Sequence, residues 1–203
     1  MNQSSTHFNA SAATWDKPEK IEQAKKFSEV IKTALQKIDP SYKIKSILEV
    51  GCGTGILGSN FMQENIPYTG VDSSVEMLNV LRSKFPQQHI KTLNLDVEKE
   101  DLSSLDYNFV ISQMAFHHLH NPVAVLKKLK QKSPAKIAII DLDKEDGSFH
   151  PDPQGMGVRH FGFSKNEIET WAQESGLKLE HYQIINTIQK NDQEYPQFLA
   201  ILG

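Results

Sequence analysis

Five short apolar runs punctuate the middle of the chain: Ile47–Val50, Tyr68–Val71, Ile90–Leu95, Phe109–Ser112 and Ile137–Leu142. Each has the length of a strand, and segments with helical spacing lie between them. Ile56–Glu64 follows a glycine-rich turn, and Ser74–Phe85 places Val75, Leu78, Leu81 and Phe85 on one face. Asn121–Gln131 offers an Asn cap, Pro122 in its first turn and Val123, Leu126 and Leu129 as an apolar stripe. Strand–helix units repeated in this way predict a parallel sheet with helices on its faces.

The two ends depart from this rhythm. Residues 1–14 are rich in Ser, Asn, Ala and Thr and read as a flexible arm. Residues 17–38 read as an amphipathic helix, with Pro18 in its first turn, an apolar stripe from Ile21 to Ile38, and Asp39-Pro40 as its stop. Near the other end, Ser164 and Glu167 form a capping box that opens a helix, and Gly176 closes it. Two strand-like runs follow, Leu177–Ile188 and Tyr195–Leu202, separated by the polar stretch Gln189–Glu194. So short a connection joins antiparallel neighbours. The expectation is one α/β domain whose sheet is parallel except for a late antiparallel strand.

Composition removes several alternatives. The 203 residues suit one domain, with a net charge of -3 from 22 Lys+Arg and 25 Asp+Glu. A single cysteine excludes an internal disulfide and a multi-thiolate zinc site. The longest unbroken apolar run, Phe198–Leu202, is five residues, against roughly 20 for a membrane span. The first twenty residues lack the pattern of a secretory signal, so a cytoplasmic setting is expected. Only two residues, Arg82 and Arg159, are arginine, which argues against nucleic acid as the partner. The lysines at 127, 128, 130, 132 and 136 read as a solvated face rather than an RNA patch.

Candidate chemistry begins at Ile47-Leu48-Glu49-Val50-Gly51-Cys52-Gly53-Thr54-Gly55, where a buried strand runs into three glycines at alternate positions. Glycine permits the tight turn and lets a ligand touch backbone N–H groups. The spacing is not the one that seats a pyrophosphate, and Glu49 would repel one. The same carboxylate favours a ligand bearing ammonium or sulfonium charge. Asp72 stands at the end of the next strand, 19 residues after Gly53, where a carboxylate can accept both hydrogen bonds of a ribose diol. Asp96, at the end of the third, can accept from an exocyclic amine. The fourth strand opens into Ser112-Gln113-Met114-Ala115-Phe116-His117-His118-Leu119. All four sites sit at carboxyl ends of strands, where open parallel sheets bind ligands.

In this order the motifs resemble those of the class I S-adenosylmethionine-dependent methyltransferases, over roughly residues 15–203. Residues 47–55 look like the family's first motif, residues 70–78 its ribose segment, residues 95–101 its adenine segment, and residues 109–119 its fourth-strand segment. The resemblance implies a Rossmann-like three-layer sandwich with a seven-stranded sheet and an antiparallel last strand. It implies a cap helix at 15–40 and a lid on the substrate side at 144–163. It also implies S-adenosylmethionine as cofactor, held by Glu49, Gly51, Gly53, Gly55, Asp72, Ser73, Asp96, Val97 and Gln113. Trp15 resembles the aromatic that some small-molecule members fold over the cofactor.

The acceptor is narrowed by what the chain lacks. No Asn/Asp-Pro-Pro-aromatic motif follows the fourth strand, and the only thiol, Cys52, lies inside the cofactor loop, away from any role as a nucleophile. Asp141 and Asp143 are the only carboxylates placed for the metal-dependent catechol type, so no metal is expected. What remains resembles the small-molecule group that includes ubiquinone- and menaquinone-type enzymes, and methyl transfer to a small-molecule acceptor is the expected function. The base candidates are His117, His118 and His160, ahead of His120 and His150. Arg159 is the guanidinium available to an anionic acceptor. The alternatives are an RNA- or protein-directed methyltransferase, a non-catalytic S-adenosylmethionine-binding protein and an NAD-dependent oxidoreductase.

Overall fold

The computed structural model describes residues 3–62, 66–86, 90–131 and 135–203. Along the chain run α1 (Gln3–Ser11), α2 (Pro18–Ile38), β1 (Ile47–Val50), α3 (Ser59–Met62), β2 (Tyr68–Asp72), α4 (Val75–Lys84) and β3 (Ile90–Asn94). Then come β4 (Phe109–Gln113), α5 (Pro122–Lys130), β5 (Lys136–Leu142), α6 (Lys165–Ser175), β6 (Leu179–Lys190) and β7 (Gln193–Leu202).

The seven strands form one sheet in the order β3-β2-β1-β4-β5-β7-β6. β7 runs antiparallel to both neighbours, and all other pairings are parallel. Chain direction across the sheet reverses between β1 and β4, which opens a crevice at their carboxyl ends.

The central strands are largely apolar because both faces are covered, with Glu49, Ser112 and Asp141 as buried polar exceptions. On one face Leu48, Val110, Ile137 and Ala200 pack with Leu126 and Leu129 of α5 and Ile168 of α6. On the other Ile47, Ile111, Ala138 and Ile201 pack with Phe27 and Ile31 of α2 and Leu78 and Leu81 of α4. The caps are local, as expected. Ser74 accepts from Met77 N–H at 3.2 Å, Asn121 accepts from Ala124 N–H at 3.0 Å, and Ser164 with Glu167 closes a reciprocal capping box. Gly176 ends α6 with φ +69°.

Three stretches differ from the sequence expectation. Residues 1–14, expected as a flexible arm, contain α1 and a 3₁₀ turn at Ala12–Thr14. Tertiary contacts outweigh the polar composition there. The Phe8 ring meets Trp15 edge-on at 5.6 Å, and Asn9 Oδ1 accepts from Ser74 Oγ at 2.7 Å. The helix expected over Ile56–Glu64 is limited to Ser59–Met62, and residues 63–64 lie outside those described. The polar stretch Gln189–Glu194 is not a loop. Lys190 pairs with Gln193 and Gln189 with Glu194, around a two-residue turn at Asn191 (φ +53°) and Asp192 (φ +58°). Two left-handed residues make the turn that matches strand twist, and Asn and Asp tolerate that conformation.

Candidate functional site

One cavity of about 390 Å³ opens at the carboxyl end of the sheet. Its first wall is the glycine loop. Gly51 N–H and Cys52 N–H both donate to Val71 O, at 2.9 and 3.1 Å, which folds the loop back over β2. Gly51 and Gly53 have φ of +65° and +52°. A Cβ on Gly51 would stand 2.4 Å from the Ala115 Cβ, whereas one on Gly53 would meet nothing nearer than Met77 Sδ at 3.9 Å. Gly51 therefore lets the loop after β4 come close, and Gly53 leaves its face open to a ligand. Gly55 packs against Leu81 and is not part of the cavity lining.

Three carboxylates line this wall together with Glu98. Glu49 is buried and accepts from Tyr68 Oη; burial pushes its pKa up to about 8. Asp72 accepts from Gly53 N–H at 2.7 Å and Ser74 N–H at 2.8 Å, one bond to each oxygen. Burial raises its pKa too, and these bonds pull it back. Each oxygen keeps a lone pair for a ligand. Asp96 lies at the rim. Burial acts to raise its pKa, but Lys99 at 2.8 Å and the Glu98 N–H outweigh that and hold it low. Ser73, Val97 and Gln113 complete this side. Cys52 is buried, and burial lifts its thiol well above the ordinary range, which keeps it protonated.

The roof comes from the N-terminus. Trp15 and Phe8 line the cavity, and the Lys20 ammonium sits 3.4 Å from the Trp15 ring centroid. Asp16 fastens this segment to the glycine loop through Thr54 Oγ1 and to α4 through Lys84 Nζ at 2.6 Å.

The opposite wall begins at Met114, whose φ of +53° is rare for a side-chain-bearing residue. That conformation turns the chain into the short helix Phe116–His118. His117 is 1% exposed, and its Nδ1 lies 2.7 Å from Asp141 Oδ1. Asp141, at 0% exposed, also accepts from Leu142 N–H at 2.8 Å and from His117 N–H at 3.2 Å. A carboxylate already accepting backbone N–H groups accepts from the imidazole as well, so Nδ1 carries the proton and Nε2 the lone pair. His118 Nδ1 lies 3.1 Å from Gly157 O and donates to it, since a carbonyl only accepts. The His118 and His150 rings stand 4.2 and 5.0 Å from that of His117. Burial, with the neighbouring His117, lowers the pKa of His118 to about 3 and of His150 to about 4. Among the described residues, His150 Nδ1 is buried with no hydrogen-bond partner.

His160 is elsewhere. Its Nε2 lies 2.9 Å from Leu119 O, its ring packs on Phe163 and Trp171, and it is absent from the lining. The backbone N–H groups of Arg159 and His160 both bond to His117 O, which pins this segment to the Phe116–His118 turn, and the His160 ring packs on the far side from the cavity. Arg159 is exposed and also absent from the lining. The remaining wall is Phe149 and Met156, within the expected 144–163 segment, and Ile188, Lys190 and Gln197 of the β6–β7 hairpin, which the sequence did not single out. Gln197, 1% exposed, accepts from Gln23 at 3.3 Å and Asn186 at 2.8 Å, and its amide lies 3.2 Å from Met114 Sδ. The two walls thus come from separate parts of the chain: residues 49–113 on one side, and 114–118, 149–156 and the β6–β7 hairpin on the other.

Among the described residues, no group of three His, Cys, Asp or Glu is arranged to hold a metal ion, and no helix is long and apolar enough to cross a membrane. The lysines of α5 are partly committed: Lys128 Nζ donates to three carbonyls, of Val97, Glu98 and Glu100, and Lys130 Nζ to that of Gly176. Lys132 lies outside the described residues.

Residues 19–182 match a family model described as a methyltransferase domain. The chain is 28% identical over 134 residues to an uncharacterized methyltransferase of Schizosaccharomyces pombe, covering 58% of this chain and 47% of that protein. It is 27% identical over 128 residues to a malonyl-[acyl-carrier protein] O-methyltransferase of Acetivibrio thermocellus, covering 62% and 43%. A ubiquinone biosynthesis O-methyltransferase of Coxiella burnetii is 23% identical over 155 residues, covering 68% and 65%. The chain spans about half the length of the first two. The same fold recurs in magnesium protoporphyrin IX methyltransferase from Synechocystis with bound S-adenosylhomocysteine (TM-score 0.67, 14% identity, 98% of this chain and 95% of that one). It recurs again in one chain of the complex between the Haloferax volcanii Trm112 methyltransferase activator and a methyltransferase (TM-score 0.71, 16% identity, 96% of each chain).

Proposed function

This chain belongs to the class I S-adenosylmethionine-dependent methyltransferases, and on that premise we propose that it methylates a hydroxyl of a small molecule held against His117. One observation carries the reading. A single cavity joins the acidic glycine-loop wall to a buried His117–Asp141 pair.

The residues present fit the cofactor. The open face at Gly53 admits a ligand against backbone, Asp72 suits a ribose diol, and Asp96 with Val97 suits an adenine edge. Glu49 suits a cationic amino-acid end, and Lys20 suits the carboxylate of that end. Trp15 and Phe8 cover the whole. When bound, the cofactor supplies a methyl group on a sulfonium, already activated for in-line displacement. The protein's own work is then alignment, with gains of about 7–11 kcal/mol available from positioning alone.

The acceptor proton needs a destination, and the three histidines divide the task. With values near 3 and 4, His118 and His150 stay neutral and serve as hydrogen-bonding walls. His117 is the base: Nε2 takes the hydroxyl proton while Asp141 holds the ring and stabilises the imidazolium. Asp141 is a positioning residue, since it does not line the cavity. We take residues 15–203 as the catalytic domain, with α2 and residues 144–163 as covers on either side of the acceptor.

The test has two parts. Thermal melting should show a shift with S-adenosylhomocysteine and none with NAD. A screen of small hydroxylated metabolites with labelled S-adenosylmethionine should then find an acceptor, whereas labelling of bulk RNA or protein in its place would overturn the small-molecule reading. Binding without transfer to any class would leave a non-catalytic binder.

A further inference from the structure

The charges of the cavity are unevenly distributed. Its acids, Glu49, Asp72, Asp96 and Glu98, all lie on strand ends or loops of the cofactor half. The opposite wall holds imidazoles and one ammonium, that of Lys190. Lys20, beside Trp15 and the segment fastened to Thr54, is taken up by the cofactor half. Lys190 is not. Its Nζ donates to Phe149 O and stands 4.8 Å from the Phe149 ring centroid. Among the described residues it forms no ion pair. One of three N–H groups is therefore committed, and a half-buried positive charge faces a largely apolar wall without a counter-ion.

Position is fixed as well. Lys190 is the last residue of β6, paired to Gln193 across the two-residue turn at Asn191–Asp192. A run of contacts along the wall links the His117 ring to that of His150 at 5.0 Å, His150 to Phe149 at 4.8 Å, and Phe149 to the Lys190 ammonium at 4.8 Å. Base and cation are thus within reach of one metabolite-sized molecule.

We propose that Lys190 selects the acceptor, and that the acceptor is a hydroxylated small molecule carrying a carboxylate on the side away from its reacting oxygen. The assignment rests on the methyl-transfer reading of this cavity. It replaces Arg159 as the group that meets an anion. The carboxylate would take the two free N–H groups of Lys190, and the Phe149 and His150 rings would flank the body of the molecule.

The probe is a panel of hydroxybenzoates and hydroxycinnamates, each paired with its carboxamide. Calorimetry on protein saturated with S-adenosylhomocysteine should give at least tenfold tighter binding of the acids. Lys190→Gln should abolish that preference, and Lys190→Arg should keep it. For any member that is methylated, Lys190→Gln should raise KM at least tenfold with kcat within about threefold. Equal binding of amides and acids, no binding of any acid, or an undiminished preference in Lys190→Gln would each overturn the proposal. If S-adenosylhomocysteine itself fails to bind, the methyl-transfer reading falls. If S-adenosylhomocysteine binds while the wild-type protein shows no preference for the acids, only the role of Lys190 falls.

Discussion

Asp141→Asn isolates the positioning of the base. Asp141 accepts three N–H groups, from His117 Nδ1 and Leu142 on Oδ1 and from His117 backbone on Oδ2. Asparagine offers one oxygen and one NH2, so either the imidazole or a backbone N–H must face a donor, and the negative charge is gone in both cases. A hydrogen bond to a charged group contributes about 1.5–3 kcal/mol. At about 1.4 kcal/mol per tenfold, losing it when His117 becomes cationic lowers kcat by roughly 10- to 150-fold. Affinity for S-adenosylhomocysteine stays the same, because Asp141 lies behind His117 and outside the lining. The assay is initial-rate methyl transfer across pH, with calorimetry on the same sample. A folded variant within twofold of wild type would falsify the assignment of His117 as base.

Other perturbations address the cofactor half and the pH response. Asp72→Ala strands the Gly53 and Ser74 N–H groups and should weaken S-adenosylhomocysteine binding by about 10- to 150-fold, measured by calorimetry, with Asp72→Asn losing less. Gly51→Ala forces a Cβ to 2.4 Å from Ala115 at a φ of +65°. The strain, on the order of 1–3 kcal/mol from the φ alone, should lower Tm by several degrees. Glu49, pushed up to about 8, is largely protonated in the free protein at neutral pH. A cationic ligand lowers its pKa, so S-adenosylhomocysteine binding should release protons below pH 8 and tighten as pH rises; buffers of differing ionisation enthalpy would read this, and a pH-independent affinity would exclude it. His118 and His150 are held neutral, at about 3 and 4 against an ordinary 6.5. The unfolded chain binds protons there first, so stability should fall as pH drops from 6.5 toward 4, and denaturant midpoints should fall less steeply in His150→Gln.

The parts of the fold legible in the sequence are those governed by local physics. Buried strands read as unbroken apolar runs, and Ser74, Asn121, Ser164 and Gly176 announce helix ends through their own hydrogen bonds and φ. The glycine loop and the acids at 49, 72 and 96 were legible because each stands at a strand end, where topology alone sends it to the crevice. The opposite wall has no such signal. Lys190 and Gln197 sit in a polar hairpin that resembles any solvated one until β7 is inserted beside β5. His150 belongs to a stretch without periodicity, and its place next to His117 is set by tertiary packing. Asp141 reads as the polar end of a strand. His160, a base candidate by residue type alone, is instead held at Leu119 O and packed on Phe163 and Trp171. α1 escaped notice because its apolar content is essentially Phe8, whose partners Trp15 and His118 are distant in the pattern.

The origin of the two walls in separate stretches of chain has an evolutionary consequence. Substitutions in residues 149–156 or in the β6–β7 hairpin can reshape the acceptor compartment while the glycine loop, Asp72 and Asp96 stay untouched. On the proposed function, descendants of such a chain can change what they methylate without first losing the methyl donor, and drift in the hairpin becomes a route to new acceptors that keeps the donor site at each step.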